Sequence, residues 1–257
     1  MKVQIVGSAL DGNVHQFAAT YLINDTVSID AGCLGFASLD VQQRVRHVFL
    51  SHTHLDHIAT LPIFLDNVFR PGPDCCRLYA SETSLAVLKE CVFNDRVWPD
   101  VFRLAADEGS DFVQPKVVTD GQPVVADGLT ITPIELSHNL PTFGFIVQDT
   151  ETAIAFVSDT GPTDRVWEAC NGLSNLQAVF VESAFPNKMK KLAEKAHHLT
   201  PQLLLEEQKK LRADVPLFIV HIKPAFYDDV LTDLHALGLP NLEISRPDTN
   251  YEFPGHS

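Results

Sequence analysis

What this 257-residue sequence lacks narrows its class before any motif is considered. No apolar run approaches the roughly 20 residues of a membrane-spanning helix, so a membrane partner is not expected. The start, Met1-Lys2-Val3-Gln4-Ile5-Val6-Gly7, reads as a strand ending in glycine. It lacks the long apolar core and small-residue cleavage site of a signal peptide, and the expectation is a cytoplasmic protein. Cysteine is sparse. None of the five forms a Cys-x-x-Cys pair, and the adjacent Cys75 and Cys76 are poorly spaced to share one zinc tetrahedron. Thiols kept reduced, buried or on loops, are the simpler reading. Positive charge is also short: 19 Lys and Arg face 33 Asp and Glu, a net charge of -14. Such a surface repels the backbone of long nucleic acids, whose binding rests on many basic contacts. A small anion drawn by a bound metal remains compatible with it.

Repeats and low-complexity linkers are absent too, so one domain over residues 1–257 is expected. Hydrophobic residues make up 45% of the chain, enough for a core. Short β-branched runs bounded by turn residues predict strands at Thr20–Ile23, Val27–Ile29, Val48–Leu50, Leu129–Leu136, Phe143–Val147, Ala153–Val157, Ala178–Val181 and Leu217–Val220. Helices are expected from Ser81 to about Phe93, from a Thr163 cap through Trp167 and Ala169, and from Thr200-Pro201 to Leu211. In the last of these a capping residue is followed by proline at the first helical position. Strands in both halves with helices among them suggest two sheets packed face to face, with helices outside.

The densest chemistry lies in His52-Thr53-His54-Leu55-Asp56-His57, directly after an apolar run. Imidazole nitrogen and carboxylate oxygen are the usual zinc ligands other than thiolate, and a catalytic site needs a few of them plus an open position. In an extended segment alternate residues share a face, so His52 and His54 can converge on one ion. If the chain then turns, Asp56 and His57 can face a second. Elsewhere, apolar strands run straight into further ligand types. Ile134-Glu135-Leu136 leads to His138, Ala155-Phe156-Val157 to Asp159, Val179-Phe180-Val181 to Glu182, and Phe218-Ile219-Val220 to His221. Each of these alone reads as readily as a core residue. Their shared place at strand ends argues for convergence along one rim of a rigid scaffold.

Together these motifs resemble the metallo-β-lactamase superfamily. The His-x-His-x-Asp-His run is followed in order by Ser137-His138-Asn139, Ser158-Asp159-Thr160-Gly161 and His221, and Asp30-Ala31-Gly32 fits the turn after the third strand. The resemblance implies an αββα sandwich of two mixed β-sheets with outer helices. It also implies two metal ions, with His52, His54 and His138 on the first, Asp56, His57 and His221 on the second, and Asp159 bridging. Zinc is the expected metal, and Mn2+ or Fe2+ also suits nitrogen and oxygen donors. Two such ions with two aspartates and a hydroxide keep about +1, enough to favour a monoanionic ester.

In the second half, Val181-Glu182-Ser183-Ala184-Phe185-Pro186-Asn187, His198-Leu199-Thr200-Pro201 and His221-Ile222-Lys223-Pro224 resemble class II cyclic-nucleotide phosphodiesterases. Asn94 to Phe102 is similar to the bacterial branch of that group. Thr60, and the lack of a Ser-Pro soon after it, depart from the pattern on the substrate side. The resemblance implies hydrolysis of 3',5'-cyclic nucleotides to 5'-nucleotides by a metal-held hydroxide, with Asp56, His198 and Glu182 as catalytic residues. Glu182 and His198 are the candidates for protonating the leaving oxygen. Lys223, Thr200 and Asn187 are candidates for substrate binding, although Lys223 could equally bind a nearby carboxylate. Lys188, Lys190, Lys191 and Lys195 read as a solvated face. Phe69, Trp98, Phe102, Phe185 and Phe226 could stack a purine, or serve a core or a homodimer contact. A tRNA 3'-end nuclease is the runner-up, disfavoured by the acidic surface and the lack of a basic arm. A β-lactamase would carry a thiolate on the second metal, and a flavin-linked di-iron relative would have Glu in place of His54. A non-catalytic scaffold would be expected to have lost ligands, and all seven are present.

Overall fold

A computed structural model describes residues 1–7, 15–70, 74–108 and 112–254 of the chain, with the side chains of 105–108 set aside. The β-branched runs pair into two seven-stranded sheets. The first holds β1 (Lys2–Ile5), β2 (Tyr21–Ile23), β3 (Val27–Ile29), β4 (His47–Phe49), β5 (Cys76–Ala80) and β6 (Val113–Val117). The second holds β7 (Val124–Ala126), β8 (Leu129–Glu135), β9 (Phe143–Gln148), β10 (Ala153–Val157), β11 (Leu176–Glu182), β12 (Leu217–Val220) and β13 (Leu242–Ile244). A late strand, β14 (Thr249–Glu252), returns to the first sheet and pairs with β1. Both sheets are mixed: β3 to β6 are parallel, as are β10 to β13, and the remaining pairs are antiparallel.

Alternation along each strand sorts side chains into three apolar layers. Phe49 of β4, Phe145 of β9, Phe156 of β10 and Phe180 of β11 point into the space between the sheets. Their neighbours Val48 and Leu50 face the opposite way, onto the helix Leu61–Asn67, and Val157, Val179 and Val181 face helices on the other side. Strands covered on both faces read as continuous apolar runs, which is why Ala153–Val157 shows no polar alternation. Nine α-helices are described: α1 (Leu39–Gln42), α2 (Leu55–Ile58), α3 (Leu61–Asn67), α4 (Glu82–Val87), α5 (Val101–Glu108), α6 (Arg165–Asn171), α7 (Lys190–Ala196), α8 (Pro201–Gln208) and α9 (Tyr227–Ala236). Leu61, Phe64 and Leu65 of α3 with Leu85 of α4 cover the first sheet. Trp167 of α6, Leu204 of α8 and Val230 and Leu234 of α9 cover the second. The result is the αββα sandwich expected from the sequence.

Helix ends depart from expectation in three places. Ser81 does cap α4, its Oγ accepting from Ser84 N at 2.9 Å. The helix does not run evenly to Phe93, because Leu88–Val92 forms a wide π-type turn closed by Phe93 N to Leu88 O. The Thr163 helix starts at Arg165 without a side-chain cap. Asp164, at the cap position, has ψ -39 instead of the extended geometry a cap requires, and its carboxylate is held by Lys210. The third helix ends at Gln208, short of Leu211.

Strand direction places the ligands. β10, β11 and β12 are parallel, and β8 runs the same way as β10 because both are antiparallel to β9. The residues after β8, β10, β11 and β12 therefore emerge at one rim. Among the described residues no helix is long and apolar enough to cross a membrane, and all five cysteines are free thiols.

Gly32 lies where the first sheet meets the ligand loop. A Cβ there would come within 2.0 Å of the Asp56 carbonyl oxygen and 2.8 Å of Ala18 Cβ. Gly32→Ala must push the backbone of the His-rich loop aside. We expect a loss of about 1–3 kcal/mol, read as a lower urea midpoint in chemical unfolding.

Candidate metal centre

The site is built from strand exits and held by Asp30. This residue follows β3 with φ +58, a left-handed conformation that Asp tolerates better than most side chains. Its carboxylate accepts from Ser51 N at 2.8 Å, from Ser51 Oγ at 2.8 Å and from His57 Nδ1 at 2.7 Å. Ser51 Oγ gives its proton to Asp30, so its lone pair is left for His52 Nδ1–H at 3.0 Å. One buried carboxylate thus fixes two imidazoles as Nδ1–H tautomers, with both Nε2 lone pairs facing inward. His54 then ends the extended segment, and the single turn α2 swings Asp56 and His57 to the neighbouring position. Backbone bonds from Ala19 N to Asp56 O and from Ala31 N to His57 O, each 2.8 Å, pin that turn.

His138 is oriented in the same manner, and His221 is held through its backbone. His138 Nδ1 donates to the His197 carbonyl at 3.0 Å, which leaves its Nε2 as the inward lone pair. His197 ends α7 with φ +53, and that left-handed turn aims the carbonyl. His221, at φ +54 after β12, donates its backbone N–H to Gln16 Oε1 at 3.0 Å.

Two groups of donor atoms result, sharing Asp159. In the first, His54 Nδ1 lies 3.0 Å from His52 Nε2 and 3.3 Å from His138 Nε2, with Asp159 Oδ2 3.7 Å from His52 Nε2. In the second, Asp159 Oδ1 is 3.4 Å from His57 Nε2 and 3.3 Å from His221 Nε2, and Asp56 Oδ2 is 3.6 Å from His221 Nε2. The donor atoms of His52, His54, His138 and Asp159 all lie within 4.8 Å of one another, as do those of Asp56, His57 and His221, and those of Asp159, Glu182 and His198. His57 Nε2 and Asp159 Oδ1 are buried and make no hydrogen bond. Unpartnered polar atoms this deep are costly unless something neutralises them, and a divalent cation suits a set made only of imidazole and carboxylate donors.

Electrostatics agree. Burial pushes the His138 imidazole down to about 4 and His221 to about 3, and it holds His52 and His54 below the ordinary histidine range. Neutral imidazoles are the form that binds metal. His57 goes the other way: burial opposes its charge, but Asp159 and Asp30 on either side outweigh burial and raise it. Burial alone would also raise Asp159, yet His221 and His57 hold it well below the carboxylate range.

Beside the groups stands a second pair. Glu182, fully buried at the end of β11, accepts from His198 Nδ1 at 2.8 Å, Thr160 N at 2.9 Å, and Ala184 N and Leu199 N at 3.2 Å. Burial pushes this carboxyl up, but all four partners are donors, which favours the ionised form. Burial lowers His198 and the Glu182 charge more than offsets it, so His198 is raised. Its Nε2 lies 3.9 Å from Asp159 Oδ2.

Every metal-ligand candidate from the sequence is brought together here. Lys223 Nζ sits on a carboxylate, 3.0 Å from Asp56 Oδ2. Thr200 is fully buried and its Oγ1 caps α8 by accepting from Leu203 N at 3.3 Å. Asn187 Oδ1 accepts from Gln202 N of the same helix at 2.8 Å. Lys188 and Lys190 are exposed and pair with Asp229 and Glu194. Phe69 stacks on Phe112 and Phe102 packs on Phe93, away from the donor groups. Phe185 lies edge-on to His198 and contacts Phe226, and Trp98 lines an apolar cavity of about 320 Å³ with Leu55 and Pro62. Sequence reading named Asp30 only as a turn and missed Ser51, Gln16 and the His197 carbonyl as orienting groups. A signal existed for Asp30 alone, an acid closing an apolar strand before Ala-Gly.

Comparison with known proteins places the chain. Residues 29–222 match the model of the beta-lactamase superfamily domain, and the chain belongs to that superfamily. A probable 3',5'-cyclic-nucleotide phosphodiesterase of Yersinia pestis is 30% identical over 240 residues, covering 82% of this chain. The chain spans 66% of that relative's length. Among solved structures, unliganded yeast PDE1 superposes with a TM-score of 0.78 at 16% identity, covering 97% of this chain and 98% of that one. The metallo-beta-lactamase fold protein YhfI of Bacillus subtilis gives 0.74 at 16% identity, covering 98% and 99%.

Removing the orienting carboxylate should weaken metal binding without deleting a ligand. We expect Asp30→Ala to raise the apparent Kd for Zn2+ by about 10–100-fold in a chelator competition. Asp229→Ala, at an exposed position of α9, should leave it unchanged.

Proposed function

We propose that this member of the beta-lactamase superfamily binds two divalent ions and hydrolyses 3',5'-cyclic mononucleotides to 5'-nucleotides. His52, His54 and His138 would hold one ion, Asp56, His57 and His221 the other, and Asp159 would serve both. Such ions, zinc or manganese or iron by donor chemistry, supply an activated water and neutralise charge on a phosphate. The observation that carries the reading is the Glu182–His198 pair. The first donor group already has its three imidazoles, so His198 is a surplus imidazole, its charged form favoured by a buried carboxylate and its Nε2 facing the centre. A hydrolysis that expels an oxyanion needs such a proton donor. The likeness to a relative named as a probable cyclic-nucleotide phosphodiesterase supports the substrate class.

On this reading each residue has a separable task. His198 Nε2–H gives its proton to the departing 3'-oxygen, leaving the phosphate on the 5' side. Glu182 keeps that imidazole charged and in place through three backbone anchors. Thr200 and Asn187 act by fixing the α8 terminus behind His198. Asp56 binds at the second group and helps to set the position of the substrate phosphate. An acidic surface without a basic arm is no obstacle to a compact, monoanionic cyclic phosphodiester.

Chromatography of the products tests the orientation. Formation of 5'-nucleotide from cAMP or cGMP is expected, and 3'-nucleotide would reverse the placement of His198. His198→Ala should lower kcat by about 10²–10⁴-fold while retaining the full metal content. Metal lost along with activity would make it a ligand. The working form of His198 is protonated, so the rate should fall as pH rises through its elevated pKa. Glu182→Gln removes the group that raises it, and the alkaline limb should move to lower pH.

A further inference from the structure

Lys223 lies two residues beyond His221, where the chain leaves β12 and enters the short turn Pro224–Phe226. Its backbone is tied by Lys223 N to Ala184 O at 3.2 Å. Its ammonium lies 3.0 Å from Asp56 Oδ2 and 3.1 Å from His221 Nε2. Those two acceptors are 3.6 Å apart, and both are inward donor atoms of the second group. An ammonium has three N–H donors and no lone pair, so both contacts use lone pairs of the ligand atoms. A lone pair accepting from Nζ cannot also bind a metal at about 2 Å, and two cations on the same pair of atoms repel. The first group has no such occupant. Among the described residues no lysine or arginine forms an ion pair with Asp159, whose nearby nitrogens are those of His52, His57, His198 and His221.

We infer that Lys223 is a tethered cation competing for the second metal position, and that the two ions therefore bind unequally. The first group fills directly. The second fills only when the Lys223 ammonium is displaced from Asp56 and His221. Released, that ammonium stays anchored at the rim through its backbone, where an anionic phosphate is the partner left to it. Displacement would turn a stand-in for the metal into a contact for the substrate. The inference rests on the two-ion part of the proposed function and is independent of which phosphodiester is cleaved.

Titration of the metal-free full chain with Mn2+, following free Mn2+ by electron paramagnetic resonance, tests this. Wild type should show a tight and a weaker class of site, with Asp56→Asn abolishing the weaker one. Lys223→Met removes the competitor at similar length, and we expect the weaker class to tighten at least about tenfold with the tight class unchanged. Lys223→Gln should behave likewise, and Lys223→Arg should keep the weaker class weak. Circular dichroism of each metal-free variant confirms folding. A weaker class that is unchanged or further weakened in both neutral variants overturns the inference, as does tightening in Lys223→Arg. A single Mn2+ in wild type and all variants overturns the two-ion reading itself, a different result from two classes indifferent to residue 223.

Discussion

The rest of the structure is arranged around one withdrawn charge. Asp159 is 1% exposed, and its two oxygens lie within 4 Å of His52, His57, His198 and His221. An ionised carboxylate so far from water is affordable only among positive or donating groups. Backbone amides could have supplied them, as they do for Glu182. Here the neighbours are imidazoles, and His52 and His57, held through Nδ1, turn Nε2 lone pairs toward it. That arrangement leaves the carboxylate undersatisfied and makes the position a receptor for cations. Stability and affinity for metal are therefore linked: ions that bind only the folded form stabilise it.

Around this charge runs an outer layer that decides tautomers. His52 is set through Ser51, His57 through Asp30, His138 through the His197 carbonyl and His198 through Glu182. Two left-handed residues, Asp30 and His197, make these contacts, and a third, His221, carries a ligand itself. Strained non-glycine backbone persists only where its surroundings fix it. Here it is held by a sandwich whose strands end at the same rim. The scaffold supplies position, the outer layer supplies orientation, and the inward lone pairs are what remains for chemistry.

Much of this was legible in the sequence because the ligands are local or mark strand ends. Four donors lie in six residues, Asp159 and His221 each follow a short run of apolar residues, and His138 follows an alternating one. The sandwich was legible for the same reason, since Ala153–Val157 and Ala178–Val181 are apolar on both faces. The outer layer was not. Gln16 lies 205 residues from the His221 amide it holds, and His197 contributes a carbonyl, which no side-chain pattern reports. Thr200 and Asn187 looked like polar groups awaiting a ligand, and the fold has committed both to the start of α8. Lys223 was divided between a phosphate and a carboxylate, and the structure shows the carboxylate.

The central claim is that seven side chains form one centre for two ions. Anomalous scattering from crystals of protein loaded with Zn2+ tests it most directly. Two peaks are predicted, one among His52, His54, His138 and Asp159 and the other among Asp56, His57, His221 and Asp159. A single peak held by His52, His54 and His138 alone, at full zinc saturation, would contradict it.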